Sequence, residues 1–294
     1  MKPLTYGLPD EGARQGARAT IYDVARTAGV SPATVSRFLN GTARVAVSTQ
    51  RRIEDAVRAH AFAPNAIAQS LATRASKTIA VLVPDITNPF FPELVKGVQE
   101  HAEERDFALV LSDTGSRIER ELRYLEVARR KQVDGVILVS ARMPEELLEG
   151  LPEQGITAVA IDPRRERPGQ MSISLSHGLG AARATEHLIE LGHLRIAHLC
   201  GPKGIHASRE RLTGFRTAMA RAGITVSAAA VVQAGFTEES GRRGVELLLE
   251  REVPFSALFA ANDLCAIGAI DYLQKQGLHV PGDVSVIGID GISL

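Results

Sequence analysis

The sequence contains no Trp, and aromatic residues make up only 4% of its 294 positions, so any core must be built from Ala, Val, Ile and Leu. Its two cysteines, Cys200 and Cys265, are too few for a disulfide framework, and no CxxC pair offers a zinc or redox centre. No uninterrupted apolar run approaches the roughly 18 residues a membrane helix needs, and residues 1–19 lack the apolar segment of a signal peptide. HExxH, GxSxG and Walker lysine motifs are missing, which removes common signatures of hydrolases and nucleotide-binding enzymes. Gly178-Leu179-Gly180 begins like a dinucleotide fingerprint, but Arg183 fills its last small position. His187, His193 and His198 lie near Cys200 without metal-ligand spacing and are expected on the surface or at helix ends. With 45% hydrophobic and 23% charged residues, the expectation is a soluble cytoplasmic protein, not an enzyme, with no cofactor, metal or membrane contact.

Net charge is also absent, at +0, but only in the sum. Residues 1–77 hold 11 Lys and Arg against 5 Asp and Glu, and the rest of the chain is acidic by the same margin. A basic head on an acidic body points to nucleic acid at one end, with chance clustering on a solvated surface as the alternative.

Residues 1–18, rich in Gly and Pro, read as a flexible tail. Thr20 then caps a helix whose third position is Asp23, with Ile21, Val24, Ala25 and Ala28 on one face. Gly29 stops it. Ser31-Pro32 starts a second helix at once, Ser as N-cap and Pro at the first position, running to Asn40-Gly41. A third is expected over about 49–60, with Ile53, Ala56 and Val57 inward. Two short helices around a Gly turn describe a helix-turn-helix. Val35 and Leu39 face inward, while Pro32, Ala33, Ser36, Arg37 and Asn40 point elsewhere and fit a major groove. Arg37 suits a bidentate contact to guanine, and Ser31, Thr34 and Asn40 suit phosphate oxygens. An ordinary solvated face on a small helical bundle is the other reading.

From residue 78 strand and helix alternate, which implies a mainly parallel α/β architecture. Strands are expected at 78–84, 108–112, 135–140, 157–161, 195–199, 230–233, 257–261 and 284–289. Helices are expected at 92–105, 118–131, 144–151, 179–191, 209–222, 238–251 and 264–276. Eight strands and a break at 172–180 suggest two lobes, with the default pocket between them at the carboxyl ends of strands. Asn88, Phe90 and Phe91 follow the first strand, Asp162 the fourth, Asn262 a later one and Asp290 the last. Acids and amides there suit hydroxyl groups, and a Phe ring suits stacking on a ring face.

The string ATIYDVARTAGVSPATVSRFLN at 19–40 closely resembles the opening of the LacI/GalR family of bacterial transcription regulators. The resemblance continues through 47–53 and 64–72, enters the next module at 85–91, and runs to the last residue. It implies a helix-turn-helix DNA-binding domain at 19–63, a hinge helix and linker at 64–77, and a periplasmic-binding-protein-like effector domain. The effector domain would divide into an N-lobe at 78–176 and a C-lobe at 177–294. Pro32, Ala33 and Arg37 occupy base-facing positions, and Ser31, Thr34, Ser36 and Asn40 match phosphate contacts. Asn65, Ala68 and Leu71 match the hinge helix, which pairs with its twin in the minor groove, Leu71 acting as an apolar wedge. A helix this short is marginal in water, so DNA and a partner subunit would order it. Arg211 and Phe236 join Asn88, Phe90, Phe91, Asp162, Asn262 and Asp290 as effector contacts; a structural ion pair for Arg211 and Asp290, and core packing for the phenylalanines, are the plain alternatives.

The implied function is that of a homodimeric regulator, a repressor of a pseudo-palindromic DNA operator, controlled by a small polar effector such as a sugar. A DNA binder without effector response and a sugar-binding protein are the rival readings. Three departures bear on the effector. Leu175-Ser176 stand where many relatives have Asp-Asn, Ile205 and Ala207 are apolar or small, and the chain stops at 290–294 where relatives continue. The last would leave the C-lobe short and an edge of the first sheet uncovered.

Overall fold

The computed structural model describes residues 19–63, 75–130, 133–140, 142–143, 145–148, 150–163 and 169–293. The tail at 1–18 and the hinge positions Asn65, Ala68 and Leu71 lie outside them. The chain divides into two compact units, Met1–Ser76 and Lys77–Leu294.

The first unit contains α1 (Ile21–Ala28), α2 (Pro32–Leu39) and α3 (Val47–Ala59). Asp23 Oδ2 accepts from the Thr20 amide at 3.0 Å and the Thr20 hydroxyl at 2.7 Å, so the acid closes the first turn. Gly29 ends α1 at φ +64°, a left-handed conformation that a side chain resists. Ser31 Oγ accepts from the Thr34 amide at 3.1 Å, and Pro32 opens α2. Val24, Ala25, Ala28, Val35, Ile53, Ala56 and Phe62 form the core. The Thr27 hydroxyl meets His60 Nε2 at 2.7 Å, tying α1 to the end of α3. The third helix starts two residues earlier than its hydroxyl signal at Thr49, because the Gln50 amide already reaches Ala46 O at 2.9 Å.

The second unit holds two parallel sheets. The first is ordered β2-β1-β3-β4-β5 from β1 (Thr78–Val83), β2 (Ala108–Asp113), β3 (Gly135–Val139), β4 (Thr157–Ile161) and β5 (Met171–Ile173). The second is ordered β7-β6-β8-β9 from β6 (Ile196–Cys200), β7 (Val231–Gln233), β8 (Ala257–Ala260) and β9 (Ser285–Ile287). Their connections carry α4 (Phe90–Glu103), α5 (Ile118–Arg130), α6 (His177–Glu190), α7 (His206–Arg221), α8 (Glu238–Glu250) and α9 (Asp263–Lys275). Central strands β6 and β8 are buried at every residue, as strands covered on both faces should be, whereas edge strand β2 alternates at its start.

Close helix pairing in the second lobe uses glycine. A Cβ on Gly214 would lie 2.1 Å from Gly178 O, joining α7 to α6. A Cβ on Gly268 would lie 1.8 Å from Glu238 O, and one on Gly241 2.0 Å from Cys265 O, so α8 and α9 touch along their backbones.

Three expectations are corrected. The described residues contain nine strands rather than eight, because Met171–Ile173 pairs with β4, Ala160 opposite Ser172. Its short run lacks a buried stretch, with Met171 and Ile173 about half exposed, so periodicity had little to show. The helix expected at 144–151 is only a 3-10 turn, Glu145–Leu148, cut short by Gly150 and Pro152, although Leu148 and Leu151 do bury. His198 is neither at the surface nor at a helix end. It sits fully buried in the middle of β6, its ring stacked 4.6 Å from Phe259 and tilted against Phe215 at 5.0 Å.

Candidate functional site

In the first unit, α2 turns Val35 into the core and leaves Ala33 and Arg37 exposed one helical turn apart. Pro32, Thr34, Ser36 and Asn40 are half-buried around them. Positions 33, 36, 37 and 40 share one side of the helix by its 3.6-residue period. Ser31 caps the helix and also bonds the Thr34 hydroxyl at 2.8 Å, so both hydroxyls are partly committed to the helix start. What remains on that side is a small, polar surface with one guanidinium. Its dimensions fit a major groove.

In the second unit, strand order reverses around β1 in one sheet and β6 in the other, where parallel sheets open a crevice beyond the carboxyl ends of their strands. A cavity of about 460 Å³ occupies that place, its lining drawn from the ends of both sheets. Asn88, Phe90, Phe91, Asp162, Arg211, Phe236, Asn262 and Asp290 all line it. The sequence-derived set is therefore brought together in full.

Local bonding gives these residues different freedoms. Asn262 caps α9, its Oδ1 accepting from the Cys265 amide at 3.0 Å while Nδ2 donates to Phe236 O at 3.1 Å. Asn88 Oδ1 accepts from the Phe90 amide at 3.1 Å and so sets the start of α4. Phe90 and Phe91 meet edge to face at 5.2 Å, and Phe91 also packs on the first-lobe core. Arg211 donates to Ala261 O at 2.5 Å and to Asp290 Oδ1 at 3.1 Å, and stands 5.8 Å from the Phe236 ring centre. Gly201 makes room for that ring, since a Cβ there would lie 2.5 Å from Phe236 Cε1. Burial raises the Asp290 carboxyl above its ordinary range, opposed by the Arg211 charge. Asp162 and Ser140, at the ends of β4 and β3, hold left-handed backbone at φ +54° and +47°. Such strain at adjacent strand ends aims both side chains into the crevice.

Sequence reasoning missed part of the lining. His177, Ser140, Ser116, Asp85 and Thr237 also face the cavity. His177 opens α6, which starts two residues before the expected helix; its Nε2 stands 2.9 Å from Asp162 Oδ2 and its Nδ1 3.4 Å from Arg211 Nη2. Ser140 and Asp85 could have been found from the strand-end rule that yielded Asp162. Nothing in the local pattern marked His177.

Residues 20–65 match the family model described as bacterial regulatory proteins, lacI family, and 76–293 match periplasmic binding proteins and sugar binding domain of LacI family. The chain is 34% identical over 280 residues to the HTH-type transcriptional regulator DegA of Bacillus subtilis, covering 94% of this chain and 83% of that protein. It is 37% identical over 277 residues to the HTH-type transcriptional repressor PurR of Photobacterium profundum, again over 94% and 83%. The fold superposes on the lac repressor dimer bound to operator and the anti-inducer ONPF with TM-score 0.81, 28% identity, and coverage of 93% and 82%. No helix among the described residues is long and apolar enough to cross a membrane.

Proposed function

The chain belongs to the LacI family of bacterial regulatory proteins, and we propose that it is a cytoplasmic homodimeric repressor, without catalytic activity, that leaves a pseudo-palindromic operator or holds it according to a small polar effector. The domains follow the division at 19–63, 64–77, 78–176 and 177–294. Ser31, Pro32, Ala33, Thr34, Ser36, Arg37 and Asn40 read the major groove and its phosphates, and Asn65, Ala68 and Leu71 complete the contact in the minor groove. The observation that carries the effector part of this reading is the convergence of eight polar and aromatic residues, from the strand ends of two sheets and the helices that follow them, on one cavity of ligand size.

The mechanism is a population shift. An effector that contacts Asp162 from one sheet and Arg211 and Asp290 from the other stabilises one arrangement of the lobes over another, and DNA affinity follows. Reciprocity is required: operator changes effector affinity by the same factor. The test is binding of the full chain to DNA selected from a random palindromic library, across a salt series. A steep salt dependence with a preferred sequence is expected. Arg37→Ala should weaken the preferred site by roughly 1–3 kcal/mol and relax one base position. Equal affinity of both proteins for selected and random DNA would remove α2 from sequence reading.

A further inference from the structure

The two compact units part at residue 77, since the second begins with Lys77. Its backbone is left-handed at φ +52°, a conformation that strains a residue with a side chain and persists only where the surroundings hold it. Glycine would take it freely, so what lysine adds is its side chain. Four strand starts meet here. The Lys77 amide donates to Asp134 Oδ2 at 2.7 Å, and Lys77 O accepts from the Ala108 amide at 2.7 Å. Asp134 in turn donates from its amide to Thr78 O at 2.9 Å and accepts from the Thr157 amide at 3.0 Å. The lysine stem folds back over the turn between α4 and β2. Its Nζ lies 4.4 Å from the centre of the Phe107 ring and donates to Arg105 O at 3.3 Å, so a ring face and a carbonyl together hold the ammonium.

This clamp stands at the amino ends of the strands, and the cavity lies at their carboxyl ends. β1 and β2 join the two without a break. β1 spans six residues, about 20 Å, from Lys77 to Pro84 and Asp85 on the cavity wall. β2 pairs with it at every step, from Thr78 opposite Ala108 to Val83 opposite Asp113. At the far end Asp113 Oδ2 accepts from the Ile86 amide at 2.9 Å. A strand pair bonded along its whole length moves as one piece, so a displacement at the cavity wall reaches residue 77 undiminished. Lys77 itself is exposed, and losing its side chain leaves the core of the lobe intact.

We propose that Lys77 is a positioning residue for regulation: its contacts with Asp134, Ala108, Arg105 and Phe107 fix the first residue of the second unit to the first sheet, so that a movement of the cavity wall turns the chain that leads to the DNA-binding unit. Coupling of this kind runs both ways. Operator held by the first unit is then felt in β1 and β2 through the same residue. The inference rests on the operator reading and needs no effector for its test.

The experiment uses the full chain and the palindromic DNA that the wild type selects. Lys77→Gly keeps the left-handed backbone and removes the stem. Lys77→Arg keeps a cation that stacks on a ring face. Phe107→Leu removes the ring and leaves an apolar side chain. Amide exchange read by mass spectrometry, with and without saturating DNA, should slow over 78–83 and 108–113 in the wild type and in Lys77→Arg. In Lys77→Gly that response should be largely lost, with the Tm of the second unit unchanged. Affinity of Lys77→Gly for the selected DNA should fall about fivefold or more, and its affinity for random DNA should hold. Phe107→Leu should act in the same direction, and adding it to Lys77→Gly should change little, because both remove one contact. A DNA-induced response that survives in Lys77→Gly, additive losses in the double variant, or a wild type that prefers its DNA yet shows no response in β1 and β2 overturns the inference. A wild type with no sequence preference defeats the operator reading itself, and the inference with it.

Discussion

Acid should loosen the second lobe through one residue. His198 is fully buried in β6, donates from Nδ1 to Phe259 O at 2.9 Å, and has an Nε2 with no partner. Burial pushes its pKa from the ordinary 6.5 down to about 4. Between those values the unfolded chain takes up a proton that the folded chain refuses, so stability falls as pH falls through that window and is unaffected above it. At about 1.4 kcal/mol per unit, the full loss is about 3 kcal/mol, of which about 2 kcal/mol is gone by pH 5. The assay is urea denaturation followed by far-ultraviolet circular dichroism at half-unit steps from pH 7.5 to 4.5, since no Trp is present to report by fluorescence. His198→Leu sacrifices the stack on Phe259 and is less stable at neutral pH, so the readout is the slope against pH rather than the absolute value. The variant should lose about 2 kcal/mol less than the wild type between pH 7 and 5. Parallel curves for the two proteins would refute the buried neutral imidazole.

Other perturbations have equally direct outcomes. Gly268→Ala drives a methyl to within 1.8 Å of Glu238 O, and separating α8 from α9 should cost roughly 1–3 kcal/mol or more, read as a lower Tm. Asp290→Ala strands the Arg211 guanidinium, whose side chain is only 8% exposed, and should cost about 3–5 kcal/mol; removing both partners should cost much less than the sum, and additive losses in the double-mutant cycle would contradict the pairing. Ser31→Ala removes the cap from the Thr34 amide and should destabilise the first unit by about 1 kcal/mol, seen as faster amide exchange at the start of α2. Ser31→Thr should restore most of it.

Much of this is legible in the sequence alone. Thr20, Asp23, Gly29, Ser31 and Pro32 carry local signals that need only their near neighbours, and α1 and α2 begin and end where those signals stand. The strands with apolar runs were equally plain, and the rule that parallel strands present ligands at their carboxyl ends picked out Asn88, Asp162, Asn262 and Asp290. The misses share a cause. Met171–Ile173 is a strand only because β4 lies beside it. His177 is in the cavity only because α6 begins early and turns it toward Asp162. His198 is polar and expected outside, yet Phe215, Phe259 and a strand carbonyl enclose it.

The residue order alone determined the family, the two kinds of module and the elements within them, because caps, breakers and apolar periods act over a few positions. Tertiary structure decided which side chains share a space. Asp162, His177, Arg211 and Asp290 are far apart along the chain and meet only when two sheets close on each other. The Arg211–Asp290 pair and the unpartnered atoms of the cavity follow from that meeting, and no local pattern encodes distance across a cleft.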